Sequence, residues 1–289
     1  MRVAILGMGA IGHVVARALK GRADLVKIDR TTAPLHDGET PVDAAIVTTK
    51  TPGTAWGAAI AAKILKPDGV ALTIQNGLGN YETLVEHLGT ERVAVGVIYV
   101  GAQLVNGELR ATGPGKVELG RPTAAASRAK LDELGRLLRA GGMDVTVVDD
   151  AWPAVWRKVV TNAAVNPLTA LIRRTNAELV ADAPASRVAD CIAREVARVA
   201  TAAGVRISED DAVKQWRAMA ALTGANRSSM LQDVEAGRPT EIDAISGAVA
   251  RLAERHGVAA PMNQAMTLLV RSIANGNQDA AKGVTVSQR

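Results

Sequence analysis

The 289-residue sequence has no phenylalanine, two tyrosines and four tryptophans. Aliphatic side chains must therefore fill its core, and no basic run is interleaved with aromatic residues that could stack on bases. The net charge of +5 comes from Lys and Arg residues scattered along the chain, a pattern typical of a solvated surface. We therefore expect no nucleic-acid partner.

Cysteine and long hydrophobic runs are also scarce. The single cysteine, Cys191, excludes an intramolecular disulfide, and its apolar-periodic surroundings predict a buried thiol. The four histidines show no metal-ligand spacing, so no metal is expected. No run is long enough to span a bilayer, and no signal peptide precedes the first strand pattern, which predicts a cytoplasmic protein without a membrane partner.

The first half of the sequence alternates short apolar runs with helical patterns. The runs lie at residues 2–6, 25–28, 44–48, 70–74 and 93–100. This alternation predicts an α/β fold with a parallel, doubly wound sheet of the Rossmann type. Within residues 108–120 we expect an antiparallel hairpin that turns at Gly113–Gly115, followed by a helix at 125–140 and a strand at 143–148.

Strand patterns stop at Asp150, and helical patterns continue to the end. We therefore predict a dinucleotide-binding domain over residues 1–149 and an all-helical domain over residues 150–289.

A glycine loop follows the first predicted strand. Gly7, Gly9 and Gly12 have the spacing GxGxxG, and Ala10 and Ile11 open the next helix. This loop permits a tight turn, lets a pyrophosphate approach the backbone and directs helix N–H groups at it. We predict dinucleotide binding; the alternative is a glycine-rich turn that binds another ligand.

Residues at the ends of the next strands are candidates for cofactor contacts. Asp29 could bond the ribose 2′-hydroxyl of NAD, whereas Arg30 could pair with the 2′-phosphate of NADP; we favour NADP slightly and keep NAD open. Lys50 and Asn76 follow the third and fourth strands, where ligands bind open parallel sheets. Plain loop chemistry is the alternative for both.

A polar stripe marks the first helix of the second half. Lys158, Asn162 and Asn166 are spaced i, i+4 and i+8 among apolar residues, which indicates a lined cleft. A lysine there can protonate an alkoxide formed by carbonyl reduction. Alternatively, Lys158 extends to solvent and the asparagines cap or bend the helix near Pro167.

A second polar group lies further along the helical half. Ser228 and Ser229, preceded by Asn226, stand where a helix begins and could hold an anion. Thr240 is predicted to be the N-cap of the following helix, with Glu241 in its first turn. Ordinary helix capping is the alternative for the hydroxyl residues.

Four sequence blocks together resemble the ketopantoate reductase (2-dehydropantoate 2-reductase) family. They are Gly7–Gly12; Gln75–Gly79; Trp156–Ala170; and Ser228–Asp233 with Thr240–Asp243 and Gly257–Pro261. The first block is shared by many dehydrogenases, whereas the third and fourth are specific to the family.

The resemblance implies NADPH-dependent reduction of a 2-oxo acid, ketopantoate to pantoate, in pantothenate and coenzyme A biosynthesis. It implies Lys158 as general acid and Glu241 as its partner at the reacting oxygen. The implied substrate contacts are Asn162, Asn166, Ser229 and Asn226. The implied cofactor contacts are the glycine loop, Arg30, Lys50 and Asn76.

Two departures from the family pattern concern the adenosine end of the cofactor. The segment between Arg30 and Lys50 is shorter than the family usually has, and Asp29 before Arg30 keeps NAD open. Three alternatives stand beside the main hypothesis: a reductase of another 2-oxo acid or an imine, which could use NADH; a non-catalytic nucleotide sensor; and, least favoured, a nucleic-acid-binding module. The sequence leaves the oligomeric state open, and a homodimer is among the states it allows.

Overall fold

The computed structural model describes the backbone of residues 1–31 and 41–286. It also describes their side chains, except those of residues 112–114 and 275–286. Residues 32–40 of the segment predicted to be shortened, which runs between Arg30 and Lys50, lie outside the described residues. The chain divides into two compact units, Met1–Val155 and Trp156–Arg289.

The first unit is built on one seven-stranded sheet. Its strands are β1 (Arg2–Leu6), β2 (Asp24–Ile28), β3 (Val42–Val47), β4 (Leu65–Thr73), β5 (Val93–Val105), β6 (Glu108–Gly120) and β7 (Asp144–Val148). The strand order is β2-β1-β3-β4-β5-β6-β7, and every neighbouring pair is parallel except the antiparallel β5–β6 pair. Its helices are α1 (Ala10–Leu19), α2 (Thr54–Ile64), α3 (Asn80–Leu88) and α4 (Arg128–Ala140).

The helices cover both faces of this sheet. One apolar cluster joins alternate strand residues such as Val3 and Ile5 to α1 and α4. The other joins the intervening residues Ala4 and Leu6 to α2 and α3. Burial on both faces explains why the parallel strands are continuous apolar runs. The strand order reverses at β1, and this arrangement confirms the predicted Rossmann-type α/β fold class.

The hairpin between β5 and β6 turns at a different place from the predicted one. Val105 pairs with Glu108, so the turn is Asn106–Gly107, where φ is 52° and 82°. Positive φ at both central residues is what a two-residue hairpin of the right twist requires, and Asn-Gly supplies it at low cost. The prediction of a turn at Gly113–Gly115 was wrong, because these residues lie inside β6.

The second unit is helical throughout its described residues. Its helices are α5 (Trp152–Ile172, which begins in the first unit), α6 (Asn176–Ala181), α7 (Ala183–Ala202), α8 (Glu209–Leu222), α9 (Ser229–Glu235), α10 (Ser246–His256) and α11 (Pro261–Val286). Among the described helices, none has the length and hydropathy to cross a bilayer.

The single cysteine lies on the surface of α7. The buried face of this helix includes Ala189, Ile192 and Val196, and Cys191 falls between those positions, on the exposed side. The prediction of a buried thiol was therefore wrong. Apolar periodicity located the helix correctly, but one step along a helix turns a side chain by about 100°, and that step takes Cys191 out of the core.

Candidate active site

The glycine loop joins β1 to α1 at the point where the strand order reverses. Gly7 has φ of 102°, and a Cβ there would lie 2.6 Å from Cγ2 of Thr49. A Cβ at Gly12 would lie 2.2 Å from the carbonyl oxygen of Gly7, so that position admits only glycine. At Gly9, by contrast, a Cβ would have no described atom within 4 Å, so the backbone there is open to a ligand.

The start of α1 completes a loop that fits a dinucleotide. The first helical hydrogen bond of α1 runs from the His13 N–H to the Gly9 carbonyl at 3.0 Å. The amides of Ala10, Ile11 and Gly12 precede it and have no partner within the helix. N–H groups in this position attract phosphate, and the open backbone at Gly9 gives the phosphate room to approach.

Asp29 and Arg30, at the end of β2, point in different directions. The Asp29 carboxylate accepts hydrogen bonds from the backbone N–H of Met8 at 3.1 Å and of Arg30 at 2.7 Å. The Arg30 guanidinium is exposed, donates to the Pro52 carbonyl at 3.1 Å and lies 6.0 Å from the ring centre of Trp56. Asp29 therefore bonds the glycine loop, whereas the Arg30 cation lies beside the loop that follows β3.

The ends of β3 and β4 are joined by side-chain hydrogen bonds. Gln75 donates from Nε2 to the Thr49 carbonyl at 2.8 Å and to the Thr54 hydroxyl at 2.9 Å. The Thr54 hydroxyl lies 2.8 Å from Oδ1 of Asn80, at the start of α3. The sequence analysis gave no individual role to Gln75 and did not single out Thr54; their positions, next to Asn76 and at the start of α2, were the available signals.

Lys50 and Asn76 both lie at this carboxyl edge of the sheet. Lys50 is exposed where the chain turns after β3, and Asn76 is half-buried after β4. The Asn76 carbonyl accepts a hydrogen bond from Nδ2 of Asn80 at 3.0 Å. The structure thus places the glycine loop, Arg30, Lys50 and Asn76 on one unit, all at the edge where open parallel sheets bind ligands.

The polar stripe of the second unit lies on α5, in largely buried surroundings. Lys158 and Asn162 are half-buried, and Asn166 is 6% exposed. Within the described ranges, the side chain of neither asparagine makes a hydrogen bond to another residue. Polar groups in such surroundings normally have partners, so these amides are ready to bind a polar ligand. The helix continues through Pro167 to Ile172.

The Lys158 ammonium is surrounded by protein atoms, although the residue as a whole is partly exposed. Burial lowers its pKa from 10.5 to about 8, and the negative charge of Glu241 opposes part of that shift. An amine with a pKa near 8 transfers its proton at neutral pH more readily than an ordinary lysine. Lys158 and Glu241 thus form an acid with an electrostatic partner inside the second unit.

The segment that carries Glu241 differs from its prediction. Helix α10 begins at Ser246, five residues after Glu241, and its N-cap is Ile245 rather than Thr240. The N–H groups of Ala244 and Ile245 both donate to the Glu241 carbonyl at 3.1 Å, which forms a separate turn. Ile245, with φ of −99° and ψ of −97°, departs from helical backbone and separates that turn from α10. The predicted N-cap at Thr240 was therefore wrong.

Ser228 caps α9, and Ser229 is the first residue of that helix. The Ser228 hydroxyl accepts the N–H of Leu231 at 3.1 Å and lies 2.7 Å from the Thr169 hydroxyl on α5. Ser229 and Asn226 are exposed, and the Asn226 carbonyl accepts the N–H of Asn176 at 3.0 Å. The hydroxyl of Thr169 was not singled out from the sequence.

The described part of the chain contains no candidate set of metal ligands. There, no three residues among His, Cys, Asp and Glu are grouped so that they could hold an ion. The chemical groups that the two units offer are instead phosphate-binding amides, an ammonium of lowered pKa, and neutral amide and hydroxyl groups.

Comparisons with known proteins agree with these features. The family model described as ketopantoate reductase PanE/ApbA matches residues 27–123, and its C-terminal counterpart matches residues 150–274. A 2-dehydropantoate 2-reductase from Halobacterium salinarum is 34% identical over 94% of this chain and 98% of its own length. Another, from Archaeoglobus fulgidus, is 32% identical over 95% and 98%.

Solved structures show the same fold. A D-mandelate dehydrogenase in a ternary complex with NADH and anilino(oxo)acetate superposes with a TM-score of 0.87 at 23% identity, over 96% of this chain and all of that one. This likeness concerns the fold alone.

Proposed function

The chain belongs to the ketopantoate reductase family, and from this membership we propose that it reduces 2-dehydropantoate (ketopantoate) to pantoate with a nicotinamide cofactor. The observation that supports this reaction best is the Lys158 ammonium, with its pKa lowered to about 8, on a helix that also presents Asn162 and Asn166. Reduction of a 2-oxo acid needs a proton donor for the new hydroxyl and neutral groups that bind the acid.

In this proposal, the glycine loop would hold the pyrophosphate of a nicotinamide dinucleotide, and the bound cofactor would supply the hydride. Lys158 hydrogen-bonds the ketone oxygen and gives its proton to that oxygen as negative charge develops there. Glu241 keeps Lys158 protonated before reaction, because its negative charge favours the ammonium.

The remaining polar groups position the substrate in this proposal. Asn162, Asn166, Ser229 and Asn226 bind its hydroxyl and carboxylate. Lys50 and Asn76 contact the cofactor.

We propose NADPH as the preferred cofactor. The Asp29 carboxylate is engaged by the amides of Met8 and Arg30, whereas the Arg30 guanidinium is exposed at the sheet edge, where it can meet a 2′-phosphate. Arg30→Ala should weaken NADPH binding roughly tenfold or more and leave NADH binding nearly unchanged, since a charge-assisted bond contributes about 1.5–3 kcal/mol.

A fluorescence titration with each cofactor tests this preference. Arg22→Ala is the matched control, because Arg22 is exposed and its guanidinium donates to the nearby Lys20 carbonyl. Equal loss of both cofactors in Arg30→Ala, or tighter binding of NADH by the parent protein, would contradict the NADPH assignment.

Turnover of purified protein with ketopantoate, compared with a panel of other 2-oxo acids and an imine, tests the reaction. Lys158→Ala should lower kcat by about 10²–10⁴-fold and leave cofactor binding nearly intact. Lys214→Ala, which removes an exposed lysine of α8, should keep full turnover. Preference for another panel member would favour a related reductase, and binding without any turnover would favour the nucleotide sensor.

The location and the assembly of the protein stay predictions. A cytoplasmic enzyme and a homodimer both fit the proposed function. Light scattering on the purified chain tests the dimer.

A further inference from the structure

A buried pair of hydroxyls joins two helices of the second unit. Thr169 on α5 is 0% exposed and Ser228 at the start of α9 is 7% exposed, and their Oγ atoms lie 2.7 Å apart. The positions are 59 residues apart in the chain, so this is a tertiary contact. A hydroxyl at a position as buried as Thr169 needs a partner, whereas valine would fill the same space without one.

The Thr169 hydroxyl has more than one acceptor within reach. The Leu231 N–H donates to the Ser228 oxygen at 3.1 Å, and Thr169 lies 2.8 Å from the Val165 carbonyl. Each hydroxyl has one proton. Thr169 donates to the Ser228 oxygen at 2.7 Å, and the Val165 carbonyl is a second acceptor within reach of the same proton.

Each member of the pair is close in the chain to a residue proposed to bind the substrate. Asn166 precedes Thr169 by three residues on α5, so the two lie on neighbouring turns of one face. Ser229 directly follows Ser228 and is exposed. Helix α9 has only seven residues, and a helix that short depends on tertiary anchors for its position.

From this geometry we infer that Thr169 is a positioning residue: its hydroxyl bond to Ser228 sets the place of Ser229 relative to Asn166 and thereby the affinity for the 2-oxo acid. Thr169 does not touch the substrate itself. The inference rests on the proposed function, because the affected quantity is the KM for the substrate of that reaction.

Thr169→Val tests the inference. The Ser228 cap of α9 keeps its bond from the Leu231 N–H, so the helix still begins at the same residue. The loss of the Thr169–Ser228 bond should raise the KM for ketopantoate roughly tenfold. We expect kcat and the KM for NADPH to stay within about twofold, because Lys158 and the glycine loop are untouched.

Two variants complete the design. Thr169→Ser keeps the hydroxyl and should restore a KM within about twofold of the parent protein. Thr267→Val is the matched control, since Thr267 is 6% exposed and its hydroxyl bonds a helix carbonyl, that of Asn263, at 2.8 Å. It should lose stability as Thr169→Val does but keep the parent KM.

The outcomes separate this inference from the proposed function. A Thr169→Val protein that is less stable but has the parent KM would overturn the inference, as would equal KM changes in Thr169→Val and Thr267→Val. A parent protein that reduces no 2-oxo acid overturns the proposed function instead. In that case, hydrogen exchange at the Leu231 amide tests whether the Thr169–Ser228 bond positions α9. Faster exchange in Thr169→Val supports this positioning role, and unchanged exchange refutes it.

Discussion

Lys158 combines two properties that normally oppose each other, burial and charge. Burial lowers the pKa of its ammonium to about 8, which suits a proton donor at neutral pH. The same burial makes the charged form costly in the folded protein. The residue therefore links the proposed chemistry to the pH dependence of both activity and stability.

The rate of reduction should fall on the alkaline side of this pKa. The ammonium is the acid form, and above pH about 8 an increasing fraction of Lys158 is neutral. We expect kcat/KM for the 2-oxo acid to fall roughly tenfold per pH unit well above the pKa. A pH–rate profile measures this, and a flat profile up to pH about 10 would show that Lys158 keeps an ordinary pKa.

Glu241→Gln should shift that profile towards lower pH. The Glu241 charge raises the pKa of Lys158 against the effect of burial, so its loss lets the pKa fall below about 8. Asp243→Asn is the control, because Asp243 is exposed and pairs with Arg271. An alkaline limb that stays in place in Glu241→Gln would contradict the pairing.

Lys158→Met should stabilise the protein at neutral pH. The folded pKa of Lys158 is below its unfolded value, so the cost of burying the charge is fully present below pH about 8 and disappears as pH rises through the unfolded pKa of 10.5. We expect a gain of about 1–3 kcal/mol in the free energy of unfolding at pH 7, less whatever Glu241 loses with the Lys158 charge. Urea unfolding at several pH values measures the gain, which should shrink towards pH 10.5.

At the scale of elements, two glycines of the loop between β1 and α1 have different roles. Gly9 leaves room for a ligand, whereas Gly12 allows close packing of the backbone. Gly9→Ala places its methyl group in open space and keeps an ordinary φ of −74°, so stability should change by less than about 0.5 kcal/mol. Cofactor affinity should nevertheless fall, because the methyl group occupies the space through which the pyrophosphate approaches. Gly12→Ala should instead destabilise the fold, since its Cβ meets the Gly7 carbonyl. Thermal unfolding and cofactor titration of both variants separate the two roles.

The N-terminus of α11 depends on a buried carboxylate. Glu195 on α7 is 3% exposed and accepts hydrogen bonds at 2.9 Å from the backbone N–H groups of Met262 and Asn263. Glu195→Gln should lower the free energy of unfolding by about 1–3 kcal/mol, because an amide NH₂ then faces those donors. Urea unfolding measures this, with the exposed Glu254→Gln as control. No loss relative to that control would mean that water replaces the bonds.

Elements with periodic burial were predictable from the sequence, whereas their junctions were not. Strands β1, β2, β3 and β7 lie within two residues of their predicted bounds, because runs of apolar residues reflect local burial. The β5–β6 turn and the start of α10 were misplaced. In both cases several turn-forming residues compete, and tertiary pairing selects among them.

In the candidate site, too, local patterns could be predicted from the sequence and long-range contacts could not. The spacing of Lys158, Asn162 and Asn166 on one helix could be predicted, because helical geometry alone places them on one face. The network of Gln75 and Thr54 and the Thr169–Ser228 pair could not. They join residues far apart in the sequence, and no local pattern marks which polar residues will meet.

At the scale of the whole molecule, the absence of phenylalanine leaves a core of small aliphatic side chains. A small apolar cavity in the first unit is lined by residues that include Val15, Ile46, Leu72 and Met143. Val15→Ile should raise the free energy of unfolding by up to about 0.8 kcal/mol, the value of one buried methylene. Thermal unfolding measures this, and a loss of stability would show that the cavity cannot accept the added carbon.

The exposed position of Cys191 has a practical consequence. Because it is the only thiol of the chain, a maleimide dye would attach at one defined point, with a stoichiometry of one per polypeptide. The native sequence can thus carry a fluorescent reporter, or be tethered to a surface, without any engineered residue.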